Sequence, residues 1–205
     1  MEGRLSHDAR DQARIMIASV RKHMPVARIV QHSDMEYPQT DGVDEIRRRR
    51  FDGDHIQRRW SHMQDMMRYG RENVLSLDCD VVVKRDVIDV FEQDFDIAMC
   101  RTLDRRDLVF NAGVIFAKPS GAGFWAEVLY EYAADPAIMD EWEGSQTALT
   151  RAADKSALKV RNLNFDIYNF TPNGPGVVPP TAQIVHYRGR RKRFMAQDNL
   201  EHAHG

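Results

Sequence analysis

A chain of 205 residues with 42% hydrophobic and 29% charged residues has the size and balance of one soluble globular domain, residues 1–205. Its net charge of −2 gives no overall attraction to nucleic acid or to a membrane surface. No apolar run reaches membrane-spanning length, the first residues form no hydrophobic leader, and a cytoplasmic protein is the default expectation.

Helical spacing of Ala13, Ile17, Val20 and Met24 predicts a first helix over residues 8–23, stopped by Pro25. A short strand is expected over residues 27–31. The polar stretch 33–53, with Pro38, Gly42 and Gly53, reads as a long loop. Its run Arg47–Arg50 is tempting as an anion site, but the acids around it favour a solvated mixed-charge loop. A second helix is expected over residues 55–69, with Trp60, Met63 and Met67 on one face and Gly70 at its end. Strands follow at 74–77, 97–100, 112–117, 158–160 and 183–187. Helices are expected near 87–91, over 121–134 and from Ser145, which could cap the last of them. Trp60, Trp125 and the methionines read as core. Strands alternating with helices predict a single-domain α/β fold, Rossmann-like, with a mixed, mostly parallel sheet.

The stretch Leu75–Val83 sets Asp78 and Asp80 two residues apart in an apolar run. In an extended segment these two share a face and Cys79 points away. Paired carboxylates repel, and a divalent cation such as Mg²⁺ or Mn²⁺ relieves the conflict. Ligands in α/β sheets gather at the carboxyl ends of strands, where Asp78 and Asp80 stand. Alone, the stretch also fits a strand ending at Asp78 with both acids in a solvated turn. The two cysteines, Cys79 and Cys100, lie in apolar runs and read as reduced, buried thiols, and no Cys/His cluster has zinc spacing.

Three motifs occur in order: Leu77-Asp78-Cys79-Asp80, then Phe110-Asn111-Ala112-Gly113, then His186-Tyr187-Arg188-Gly189-Arg190-Arg191-Lys192. Together they resemble the nucleotide-sugar glycosyltransferases of the A fold. The likeness is strongest to the glycogenin-like and lipopolysaccharide galactosyltransferase-like group, family eight, and covers residues 74–192 best. The resemblance implies Mn²⁺ or Mg²⁺ held by Asp78, Asp80 and His186, with Asp78 also near the ribose. It implies that Gly189 lets the backbone approach the diphosphate and that Lys192 neutralises it. A metal and a lysine at a diphosphate leaving group stabilise the charge that develops there. Asn111 would contact sugar or acceptor, and Gln146 would sit near the anomeric carbon. Ser145 stands where the family tends to have an Asp, which bears on sugar specificity. A basic residue on the helix before the Asp-x-Asp strand often reaches the donor, and Arg58 or Arg59 is the candidate, with Arg59 preferred.

Each of these residues also has a plainer reading. His186 fits a hydrogen-bonded surface histidine, Asn111 a turn residue, and Gln146 the first turn of a helix. Gly113 fits close backbone packing, and Arg188, Arg190, Arg191 and Arg193 fit a solvated basic tail. One departure from the family stands out. Family members open on a strand that contacts the nucleotide base, whereas here the first helix begins almost at once, so that strand is expected to be missing or shortened. An exposed inner edge favours a homo-oligomer. The implied activity is transfer of a hexose from a nucleoside diphosphate sugar, a uridine one, to a hydroxyl acceptor, with retention of configuration. The sequence offers no clear general base. A non-catalytic relative used for binding or assembly is the alternative. A nucleotidyltransferase is a third class, but its glycine-rich basic loop after the first strand is not visible.

Overall fold

The structure is a computed structural model, and it describes residues 9–50, 55–104, 107–141 and 143–199. The expectation about an opening strand concerns residues before Ala9 and lies outside them. The first described element is helix α1, Ala9–His23, whose Ile15, Ile17 and Val20 are buried and whose last turn carries Arg21, Lys22 and His23. Cations there complement the carboxyl end of the helix dipole.

Strand β1, Val30–Asp34, starts three residues later than expected. The stretch read as one long loop contains a strand, β2, Glu45–Arg49. It pairs with β1 in parallel, from Val30 opposite Glu45 to Asp34 opposite Arg49. The arginine run hid this strand because its sequence, Glu-Ile-Arg-Arg-Arg, has one apolar residue and no alternation. Its charges are used locally: Arg49 pairs with Asp65 at 2.9 Å, and Arg47 pairs with Glu45 at 2.6 Å. Helix α2, His55–Arg68, buries Met63 and Met66, while Met67 is exposed.

The central sheet runs in the order β3 (Val74–Leu77), β6 (Asp107–Ala117), β5 (Ile97–Asp104) and β7 (Val160–Asn162). A separate pair joins β4 (Val81–Val83) to β8 (Ile184–His186). The mixed α/β class holds, but a parallel majority does not. Pairing is parallel in β1–β2 and β5–β7, and antiparallel in β3–β6, β5–β6 and β4–β8. Strands β5 and β6 follow each other so closely that only an antiparallel pair can form.

Alternation along these strands builds two cores. Ile97 and Met99 of β5 and Ile115 of β6 face α2, α3 (Phe124–Ala134) and α5 (Gly144–Lys155), packing against Met63, Trp125, Val128 and Leu149. Ala98, Cys100, Val114 and Phe116 face the other way, onto Val20, Val81, Val83, Val90 and Ile184. A sheet covered on both faces reads as near-continuous apolar runs, as residues 97–100 and 112–117 do. The described residues also form short helices α4 (Ala137–Asp140) and α6 (Phe165–Tyr168) and helix α7 (Lys192–Asp198). Ser145 is not a cap: α5 begins at Gly144, after Glu143, and no side chain caps it. Among the described residues no helix is long and apolar enough to cross a membrane.

Candidate functional site

Two strand pairs end at one point. In β3–β6, Leu77 stands opposite Val114, and the next step is an Asp78 N–H donating to the Gly113 carbonyl at 3.0 Å. In β4–β8, Val81 stands opposite His186, and the next step is a Tyr187 N–H donating to the Asp80 carbonyl at 2.9 Å. The turn Asp78-Cys79-Asp80 therefore bridges the two pairs. Each pair brings its own acid to the same histidine. The acids therefore sit in a turn after a strand that ends at Leu77, not in one extended run, and the Cys79 thiol lies 3.8 Å from Gln12 on α1.

The acids and His186 converge although more than a hundred residues separate them. One ligand atom from each of Asp78, Asp80 and His186 lies within 4.8 Å of the others, a group that could hold a metal ion. His186 Nε2 is 3.2 Å from Asp80 Oδ1 and 3.9 Å from Asp78 Oδ2. Asp80 and His186 are buried, while the Asp78 side chain is 58% exposed toward the cleft. Lys192 Nζ lies 3.1 Å from the other Asp80 oxygen. Burial pushes the Asp80 carboxyl up, but the His186 contact and the Lys192 charge outweigh it and hold the carboxyl below its usual range. For Lys192, burial works against the charge, and Asp80 more than offsets it, so its pKa is raised. Burial, then the charges of Asp80 and Asp78, push the Cys79 thiol up to about 11.

Gly113 makes the convergence possible. A Cβ at this position would lie 2.1 Å from His186 Cε1 and 3.0 Å from Asp78 Oδ2. No side chain fits there, so the glycine answers the approach of the histidine and the acid as well as backbone packing.

Behind the acids runs a chain of amides. His186 Nδ1 is 2.9 Å from Asn169 Oδ1. Asn169 Nδ2 donates to Asn111 Oδ1 at 2.9 Å, and Asn111 Nδ2 donates to Gln146 Oε1 at 2.9 Å. The Gly113 N–H donates to Asn111 Oδ1 at 3.1 Å. Asn111 is therefore buried in a network, not placed in a turn, and Gln146 is tied to it from the first turn of α5. Gly189 has φ +59, a left-handed turn that suits glycine, and leads from β8 into Lys192. Part of the basic tail has structural partners: Arg188 donates to Thr171 and Thr102 at 3.2 Å each, and Arg191 to Asn173 at 3.3 Å. Asp78, Asp80, Asn111, Gln146, His186, Gly189 and Lys192 all line one cleft of about 1570 Å³. The side chains of Arg58 and Arg59 lie outside the described part of α2. Asn169 is fully buried, and the sequence reading missed it. Its only signal is an amide standing between the aromatics Tyr168 and Phe170.

This architecture is the glycosyltransferase A fold, as comparison with solved structures shows. The apo form of the glycosyltransferase GlyE from Streptococcus pneumoniae TIGR4 matches with a TM-score of 0.66 at 19% identity, over 95% of this chain and 57% of that one. A second GlyE structure matches with a TM-score of 0.64 at 18% identity, over 95% and 58%. An active-site mutant of LgtC matches with a TM-score of 0.56 at 16% identity, over 88% and 84%. The chain thus spans less than three fifths of GlyE. No family model and no curated protein sequence matches it.

Proposed function

We propose that residues 1–205 form a metal-dependent glycosyltransferase domain that moves a hexose from a nucleoside diphosphate sugar, a uridine one, to a hydroxyl acceptor. The observation that carries this reading is the meeting of Asp78, Asp80 and His186 beside Lys192 in one cleft, on a fold shared with GlyE and LgtC.

The donor set fits a divalent ion. Asp80 Oδ1 and His186 Nε2 face each other at 3.2 Å, and two acceptors so close need a proton or a cation between them. Two carboxylates and one imidazole suit Mn²⁺, and Mg²⁺ is the second candidate. Asp78, Asp80 and His186 would hold the ion, which supplies Lewis-acid stabilisation of the leaving diphosphate. Lys192 balances Asp80 in the structure. With that carboxylate engaged as a ligand, the Lys192 ammonium would be available to the diphosphate as a second positive charge. Gly189 keeps the backbone beside Lys192 free of a side chain that would hold the phosphates off. Asn111 and Gln146 present amides to the sugar, and Arg59 is kept as a donor-binding candidate on the family resemblance alone. Transfer with retention follows the family resemblance, and no described residue is placed as a general base.

The experiment is a panel of nucleotide sugars with Mn²⁺, read as release of nucleoside diphosphate with and without simple glycoside acceptors. The proposal predicts metal-dependent release from at least one donor. Saturable donor binding with no release from any donor would instead establish the non-catalytic alternative.

A further inference from the structure

The amide chain behind His186 has a direction that one backbone group fixes. A peptide N–H can only donate, so the Gly113 N–H makes Asn111 Oδ1 an acceptor. The Asn111 amino group must then point at Gln146 Oε1. Asn111 Oδ1 also takes the contact from Asn169, which must present its own amino group there. That leaves Asn169 Oδ1 for His186, and an oxygen acceptor requires a proton on His186 Nδ1. In the neutral ring Nε2 is then the unprotonated nitrogen, and Nε2 is the atom that faces Asp80 and Asp78.

We propose that Asn169 is the positioning residue of this site: it holds His186 in the tautomer that offers Nε2 to the cleft, and it joins that ligand through Asn111 to Gln146. The proposal rests on the metal-dependent reading above, in which His186 is a ligand. Three features support it. Asn169 is fully buried, so an amide whose bonds were broken would find no water in exchange. Its backbone is pinned beside β8, since the Phe170 N–H donates to Ile184 O at 3.1 Å and the His186 N–H donates to Phe170 O at 2.8 Å. Both ends of its side chain are used, one on the proposed metal ligand and one on the proposed sugar-facing amides. A group that orients a ligating histidine through its other ring nitrogen is worth about 10–100-fold in metal affinity.

Two variants separate the two contacts. Asn169→Ala removes both. Asn169→Asp keeps an oxygen for the His186 Nδ1–H but offers no donor to Asn111, whose Oδ1 would then face a carboxylate. The first readout needs no metal. Nitrogen-15 imidazole spectra report whether His186 Nδ1 carries a proton, with His186→Gln identifying the signal. The wild type and Asn169→Asp should show the Nδ1–H form, and Asn169→Ala a mixture. The second readout is Mn²⁺ affinity in the presence of uridine diphosphate: a loss of about 10–100-fold for Asn169→Ala and a change within about threefold for Asn169→Asp. In Asn169→Asp the side-chain amide resonances of Asn111 and Gln146 should move.

An Nε2–H tautomer in the wild type, or equal loss of Mn²⁺ affinity in both variants, overturns the proposal. A wild type that shows the Nδ1–H form yet binds no Mn²⁺ overturns the metal-dependent reading while leaving the orienting contact in place. Should Asn169→Ala not fold, Asn169→Asp decides: a retained tautomer with shifted amides supports the proposal, and unshifted amides contradict it.

Discussion

At the site, the steric demand on Gly113 is the most severe constraint on any one residue. Its missing side chain is what allows His186 and Asp78 to approach, since a Cβ would sit 2.1 Å from the imidazole. Gly113→Ala should cost about 1–3 kcal/mol of stability, as overpacking does. It should also weaken Mn²⁺ binding, measured by titration on protein whose circular dichroism is unchanged. A variant that binds Mn²⁺ as the wild type does would contradict the geometry. Cys79 gives a second readout of the same charges. Its thiol titrates near 11 because of burial and the neighbouring acids, so at neutral pH it is almost wholly protonated and slow to alkylate. Its pKa is raised, so the rate should climb as pH rises toward 11 and stay low below. Binding of Mn²⁺ to Asp78 and Asp80 would remove part of the cause and speed alkylation by iodoacetamide at fixed pH. Slower or unchanged alkylation with metal would count against those ligands. The acids and His186 were legible in the sequence because their types and order are distinctive. Asn169 was not, because a lone amide between aromatics has no spacing rule and becomes informative only when its partners are known.

The elements that make the site are short. Strands β4 and β8 have three residues each, all buried. Their pairing sets His186 beside the turn that carries Asp78 and Asp80. Ile184 on β8 is fully buried in the core shared by Val83, Phe116 and Leu163. Ile184→Ala should lower the unfolding free energy by about 2–5 kcal/mol in chemical denaturation. Val177→Ala, at a residue 56% exposed, should change it by less than about 0.5 kcal/mol. Equal effects would mean that β8 is not held by the core as described. The apolar alternation of β5 and β6 was readable as strands, and their two faces follow from the pleat. What the sequence concealed was pairing. The arginine-rich β2 gains its place from the parallel ladder to β1, a non-local contact that its own composition does not announce. The pair orientations also escaped prediction, because strand order depends on crossings that no local pattern encodes.

For the molecule as a whole, the described strands form three separate sheets, so β1 pairs only with β2, and β3 only with β6. Open strand edges pair readily with other chains. We therefore expect a dimer or larger assembly of this 205-residue chain, seen as concentration-dependent sedimentation. A monomer at all concentrations would remove that expectation and leave the site untouched. The proposed reading turns on a single dependence at the site: nucleotide should need a metal, because Asp78 and Asp80 repel a diphosphate unless a cation stands between them. The most direct test is calorimetric titration of uridine diphosphate with Mn²⁺ and with chelator, on wild type, Asp80→Ala and Lys192→Ala. Binding should appear only with Mn²⁺, vanish in Asp80→Ala and weaken in Lys192→Ala by the loss of a charge-assisted contact. Equal affinity with Mn²⁺ and with chelator would contradict the account.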